Sequence, residues 1–387
     1  MNIHTKAVHA GDRRKAGAQV PVTTPIYTAS SYSCESMEQL DRVIGREENG
    51  FSYGRYDNPS NAALEEQVRA LENGHGALAC SSGMAAIQVA VAAALTDRPR
   101  SIVAADALYG ATVGLLMNVL EPSGVKVRFV DVCDLEAVGA AVAEARPGCI
   151  IAETISNPLL RVGELDRLAE IARGAGARSR AATPLLARPL ELGAHFSVHS
   201  VTKYLAGHGD VLGGIVVSDQ DHYETLRRLS RITGPVLGPF ESYLTMRGIK
   251  TFPLRMERQC ANACRVAAWL SGRPEVERVY FPGDPAHPDA AAIRRLFPPN
   301  LYGAMVSCEL RGAGREDVFR FMDRLKMIVR ATSLGDVHSM MLYPVMSSHR
   351  EISPKHRERM GIRENLVRLS VGIEAAEDII ADLEQAL

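Results

Sequence analysis

Apolar residues follow two rhythms along this chain, and the change from one to the other divides it. From Ser101 onward short β-rich runs recur: SIVAAD (Ser101–Asp106), VKVRFVD (Val125–Asp131), CIIAE (Cys149–Glu153) and GGIVV (Gly213–Val217). Helical stretches lie between them, one running from Leu165 to Arg173. Short strands alternating with crossover helices predict a mostly parallel α/β sheet buried on both faces. Ahead of them a helix starts at Asn58-Pro59, with Asn58 as its cap and Pro59 in its first turn. Leu64, Val68 and Leu71 form its apolar stripe, and Gly74 is its expected stop. Past Pro239 the order becomes α+β. A long helix over about Phe252–Leu270 leads to VERVYFPG, the alternating strand GAMVSCEL and the helix EDVFRFMDRL. A last helix, Glu377–Leu387, buries Ile379, Ile380 and Leu383. The opening segment is rich in Thr, Ser, Pro and Gly without sustained periodicity, so it reads as an extended arm that packs on something else. The expected division is an arm over 1–50, a large α/β domain over 51–240 and a smaller C-terminal domain over 241–387.

Composition narrows the class. Of the 387 residues 46% are hydrophobic and 23% charged, as in ordinary globular proteins, and the formal net charge is −1. That charge gives no sign of a nucleic-acid or anionic-membrane partner, which needs a basic face. Seven cysteines, an odd number with no CxxC pair, argue for reduced thiols and a cytoplasmic location, against a disulfide framework or a metal site. The first residues contain no apolar core of a signal peptide. The run Ala77–Leu95 is long enough to span a bilayer, but Ser81, Ser82, Gly83 and Gln88 interrupt it and alanine dominates it. It reads as a loop followed by a buried helix.

Two segments carry candidate chemistry. In HSVTKYLAGHGDVLGG (His199–Gly214) a lysine flanked by Ser200 and Thr202 precedes a glycine-rich stretch. This suits an amine, Lys203, that forms a Schiff base beside a phosphate, with hydroxyls in reach of that phosphate. Taken alone, a surface lysine explains the segment as well. In CSSGMAAI (Cys80–Ile87) a glycine-containing turn opens an apolar helix, where free N–H groups bind phosphate. A plain helix-entry turn accounts for that segment when it is read by itself.

Together with YGRYDNPS (Tyr53–Ser60), DALYGAT, ETISNPLLRV, RGIKTFPLRMERQ and the closing LVRLSVGIEAAEDIIADLEQAL, these segments occur in an order that resembles the transsulfuration family of enzymes dependent on pyridoxal 5′-phosphate (PLP). That family includes cystathionine γ-synthase, cystathionine β- and γ-lyases and methionine γ-lyase, and the resemblance spans nearly the whole chain. It implies the aminotransferase-like fold type I, with the PLP-binding domain over 51–240. Lys203 matches the Schiff-base lysine, which also shuttles protons. Gly83 and Met84, joined by Ser200 and Thr202, match the phosphate cradle. Tyr109 matches the tyrosine stacked on the cofactor ring, which can also deprotonate the incoming amine. Asn157 matches the asparagine at the ring hydroxyl. Tyr53 and Arg55 match a pair that reaches the phosphate from a neighbouring subunit, so the resemblance implies a homotetramer with active sites shared between chains. Ser333 and Arg368 match residues that hold the carboxylate of a small amino-acid substrate.

One stretch departs from the family. Where relatives carry an apolar strand ending in an Asp that pairs with the protonated ring nitrogen, this chain reads GARSRAATP (Gly176–Pro184), about four residues shorter and without an Asp. Two arginines would sit badly in a buried parallel strand. Loss of the group, its replacement by Arg178 or Arg180, and an error in the coding sequence all account for the stretch. Ala111, His338 and Tyr343 also depart, at positions that lie near the substrate side chain in the family. The expected function is therefore a PLP-dependent C–S lyase of sulfur amino-acid metabolism, acting by β- or γ-elimination. The alternatives are γ-replacement on an O-acylhomoserine, and a degenerate member impaired by loss of the Asp. A phosphate-binding protein without PLP would leave Lys203 and Tyr109 unexplained.

Overall fold

The computed structural model describes residues 1–12, 20–176, 178–181 (backbone), 185–350 and 354–387. Seven of its strands form one sheet: β1 (Gly76–Cys80), β2 (Ser101–Ala105), β3 (Lys126–Val130), β4 (Cys149–Ile151), β5 (Arg178–Ala181), β6 (Phe196–Ser200) and β7 (Gly214–Ser218). Their spatial order is β1-β7-β6-β5-β4-β2-β3, and only β7 runs against its neighbours. A second sheet holds β8 (Val276–Tyr280), β9 (Met305–Leu310), β10 (Val329–Arg330), β11 (Met340–Leu342) and β12 (Leu366–Ser370), in the order β10-β11-β12-β9-β8.

The helix Gly83–Leu95 explains how the large sheet is covered. It is apolar nearly all round, and its small residues Ala86, Ala90 and Ala93 let it lie close across β6 and β7. Val89 and Val91 complete its buried surface against Ile102, Ile150 and Val198. On the opposite side, Leu64, Val68 and Leu71 of the helix Pro59–Glu72 pack with Ile215, Val217 and Phe252. The helix Phe252–Ser271 then carries Ala263, Val266 and Leu270 into the core of the second sheet.

Several expectations need correction. The opening segment is not extended throughout: helices form at Ile3–His9 and Met37–Gly45, capped by the Asn2 and Ser36 side chains. Met37–Gly45 has no buried residue, so its apolar positions face no core among the described residues. The helix from Pro59 stops at Asn73, in the left-handed region at φ 54°, one residue before the expected Gly74. The stretch Gly76–Cys80 is a strand at the sheet edge rather than a loop. Most consequentially, Arg178–Ala181 keeps its place as β5, paired in parallel with both β4 and β6. The departure from the family pattern shortens this strand without removing it from the middle of the sheet. Among the described residues no helix is long and apolar enough to cross a membrane.

The carboxyl ends of β2, β4 and β6 open on one side of the sheet, the usual position of a binding crevice in α/β proteins. The strand delivering the lysine segment is tied down by a buried contact. His199 Nε2 lies 2.6 Å from Glu72 Oε1 and 3.1 Å from Ser197 Oγ, with Glu72 fully buried. Removing one member of such a pair leaves the other buried and unmatched, at a cost of about 3 kcal/mol. Glu72→Ala is therefore expected to lower stability by about that amount in urea denaturation; a loss within error of zero would contradict the role given to this contact.

Candidate active site

Lys203 follows β6 by three residues, in the turn that the Gly-rich segment closes. The side chain is half-buried, and its Nζ donates to Ser333 Oγ at 2.7 Å. Burial first, and the positive charge of Arg368 second, hold its amine below the ordinary lysine range. More of it is therefore present as the uncharged nucleophile. Ser333 sits at φ 102°, a conformation that costs a non-glycine residue on the order of 1–3 kcal/mol. That backbone turn presents both ends of the residue to the site: Oγ meets Lys203 and the carbonyl accepts from Arg368 Nη2 at 2.6 Å.

Arg368 comes from β12, whose register sets it opposite Ser307 and Leu342. It is 3% exposed. Nη1 donates to Asn157 Oδ1 at 3.0 Å, while Nε is buried with no partner among the described residues. Burial pushes the guanidinium down to about 10. A buried cation with a spare donor fits a carboxylate, which can accept from Nε and return the missing charge.

The second cluster stands at the start of the helix Gly83–Leu95. Ser82 caps it, its Oγ accepting from Ala85 N. The N–H groups of Gly83 and Met84 fall in the first turn, outside the helical ladder. A Cβ on Gly83 would lie 3.0 Å from Ser200 Cβ and 3.2 Å from its Oγ, so the absent side chain keeps this hollow open. Helix start and Ser200 hydroxyl thus border one small space suited to a phosphate. Thr202 is used differently: its Oγ1 accepts from Gly213 N at 3.1 Å and bonds the Gly213 carbonyl at 3.4 Å, closing the turn.

Tyr109 follows β2 and is 45% exposed; its N–H donates to Glu153 Oε1 at 2.9 Å. It lies near Arg368. Tyr53 and Arg55 are on the surface, where the Arg55 guanidinium stacks over the rings of Tyr53 and Tyr56 and bonds the Arg231 carbonyl. None of their described contacts reaches Lys203, Ser200 or Arg368. Tyr343 does not line the site. It is fully buried against Phe319, with its hydroxyl bonded to Glu364. His338 turns outward beside Asp336, and Ala111 lies exposed near the start of the helix Gly110–Leu115. The side chains of Arg178 and Arg180, the candidate partners of the ring nitrogen, lie outside the described residues.

Two site residues escaped the reading of the sequence. Glu153 orients the Tyr109 backbone, and its place at the end of a recognisable parallel strand was the available signal. His349 is fully buried, with Nδ1 at 2.8 Å from Ser348 Oγ; burial and then the Arg368 charge push its imidazole down to about 4, so it is neutral. No local pattern announces it.

The profile described as Cys/Met metabolism PLP-dependent enzyme matches residues 4–387. The chain belongs to that family. An L-methionine gamma-lyase of Fusobacterium nucleatum subsp. polymorphum is 39% identical, with 100% of this chain and 98% of the relative covered. A cystathionine gamma-synthase of Mycobacterium tuberculosis is also 39% identical, over 99% of this chain and 96% of the relative. The crystal structure of a cystathionine gamma-lyase from Lactobacillus plantarum complexed with L-serine superposes with a TM-score of 0.91 at 34% identity, covering 100% and 98% of the two chains. The fold is accordingly fold type I, and this Cys/Met-metabolism enzyme uses PLP and a small amino-acid substrate. Its chemistry is C–S lysis or γ-replacement in sulfur amino-acid metabolism. These likenesses give no support to the alternative of an impaired member. The hollow at Gly83, the half-buried amine and the spare Arg368 donor fit PLP with an amino acid.

Because Arg368 helps depress the Lys203 amine, replacing it has a sign that can be read without cofactor. In the PLP-free protein, Arg368→Gln should shift the pH midpoint of Lys203 modification by an amine reagent upward. An unchanged or lower midpoint would show that the two charges do not interact.

Proposed function

We propose that this enzyme is a C–S lyase that eliminates a thiol from Cβ or Cγ of a sulfur amino acid such as cystathionine or methionine. The observation that carries the substrate class is the buried Nε of Arg368, unpartnered among the described residues, beside the half-buried Lys203 amine. Arg368 binds the substrate carboxylate, with Ser333 holding the approach between that group and Lys203. The uncharged Lys203 takes the proton from Cα and later returns one. When bound, PLP supplies the sink for the electron pair left on Cα. Gly83, Met84 and Ser200 would hold its phosphate, with Thr202 fixing the turn beside them through Gly213, while Asn157 would meet its ring oxygen and Tyr109 its ring. Breaking Cα–H and C–S, followed by addition of water, yields a 2-oxo acid, ammonia and a thiol. The equal identity to a cystathionine gamma-synthase keeps a second reading, γ-replacement on an O-acylhomoserine, which releases neither ammonia nor an oxo acid.

We further propose a cytoplasmic homotetramer in which Tyr53 and Arg55 complete the phosphate site of a neighbouring subunit. The exposed Tyr53 and Tyr56, together with the helix Met37–Gly45 that faces no core among the described residues, support a subunit contact there. We also assign 1–50, 51–240 and 241–387 as arm, PLP-binding domain and C-terminal domain.

Purified protein with added PLP should show the visible band of a lysine-bound cofactor, and Lys203→Ala should not. With L-methionine or L-cystathionine, the loaded protein should release ammonia and oxo acid in equal amounts with thiol. Thioether formation from O-acylhomoserine and a thiol, without ammonia, would instead establish γ-replacement; no band in either protein would sink both readings.

A further inference from the structure

Asn157 belongs to a short loop that is gripped almost residue by residue from the C-terminal part of the chain. The loop closes on itself through Ser156 N to the Arg161 carbonyl at 2.9 Å and Arg161 N to Ser156 Oγ at 3.0 Å. Within it Leu160 takes φ 57° although buried, a left-handed conformation that costs a leucine about 1–2 kcal/mol. Polar contacts add to the packing of buried Leu160 in holding that shape. A cavity of about 770 Å³ lies along the loop, bordered by Ser156, Asn157, Pro158, Leu159 and Arg161. The polar contacts to the loop form a row. Arg368 donates to Asn157 Oδ1, Ser307 Oγ to the Pro158 carbonyl at 2.7 Å, and His287 Nε2 to the Leu160 carbonyl at 3.2 Å.

The strongest of these contacts is made by Asp289. Its carboxylate accepts from Arg161 Nε at 2.7 Å and Nη2 at 2.9 Å, and also from Val162 N at 2.9 Å. Its backbone N–H donates to His287 Nδ1 at 3.0 Å, which leaves the histidine Nε2–H directed at Leu160. Burial alone would raise the Asp289 carboxyl, but the bonds from Arg161 and Val162 more than offset this and keep it below the usual carboxylate range. A bidentate ion pair whose carboxylate is nearly enclosed, though Arg161 stays partly exposed, is held further by the main-chain bond to Val162 and so keeps one geometry better than a single exposed contact would.

We propose that Asp289 is a positioning residue for the PLP site: by holding Arg161 and Val162 it sets the loop that aims Asn157 at Arg368 and the cofactor. The inference rests on the reading of Asn157 as a cofactor contact. Asp289 touches neither cofactor nor substrate; its effect passes through Asn157.

A double-mutant cycle on PLP affinity tests this. Affinity is read from the visible band during titration with PLP, and folding from circular dichroism. Asp289→Asn should weaken PLP binding about tenfold and raise KM for the amino acid more than it lowers kcat. In the Asn157→Ala background the same substitution should add less than about twofold, because the group it positions is gone. Equal losses in both backgrounds, or PLP affinity unchanged in Asp289→Asn, would overturn the proposal. If Asp289→Asn does not fold, Arg161→Gln takes its place in the cycle, since it breaks the ion pair and leaves the bond to Val162, with the same outcomes for and against. A parent protein that takes up no PLP would overturn the reading of the site, and this inference with it.

Discussion

The burial of one guanidinium organises this protein. Arg368 stands on a central strand of the C-terminal sheet at 3% exposure, and its described bonds go to a carbonyl and an amide oxygen rather than a carboxylate. Taking a cation from water into such a place costs several kcal/mol unless charge and hydrogen bonds are returned. The neutral acceptors return part of it, and the spare Nε leaves the remainder to an arriving anion. The same charge reaches outward, favouring the uncharged forms of Lys203 and His349. In the function proposed here, one residue thus selects the substrate's carboxylate and prepares the amine beside it.

That arrangement requires two sheets to meet at a fixed place. The large sheet brings Tyr109, Asn157 and Lys203 after the ends of three strands and Gly83 after the edge strand. The C-terminal sheet supplies Arg368 and, through the loop after β10, Ser333. Where the halves touch, two non-glycine residues, Leu160 and Ser333, hold left-handed backbone conformations. Strained loops persist when surrounding bonds determine them more than once, and both loops are so bonded. The joint is built for aim rather than for maximum stability.

The altered stretch around β5 illustrates how a fold tolerates a local change. Main-chain pairing to β4 and β6 depends on backbone groups and not on side-chain type, so a shortened strand with unusual composition still completes the sheet. The side-chain pattern of the stretch does not register this main-chain pairing. The family likeness across the full chain agrees with a sheet that stays whole.

Much of this protein is written locally. Asn58-Pro59 with Leu64, Val68 and Leu71 specifies its helix, SIVAAD and CIIAE specify buried strands, and the Ser–Val–Thr–Lys run marks Lys203, because caps, periodicity and short motifs act between near neighbours in the chain. The order of motifs sufficed for the family and its cofactor. Contacts between distant residues were not legible. Tyr343 went into the core instead of the site, His349 became a buried neutral ring, and Asp289 found Arg161 across 128 residues. Sequence sets which groups can bond, since that depends on chemistry and local backbone preference. Only the tertiary structure decides which of them meet, since burial and partner choice depend on how the sheets pack.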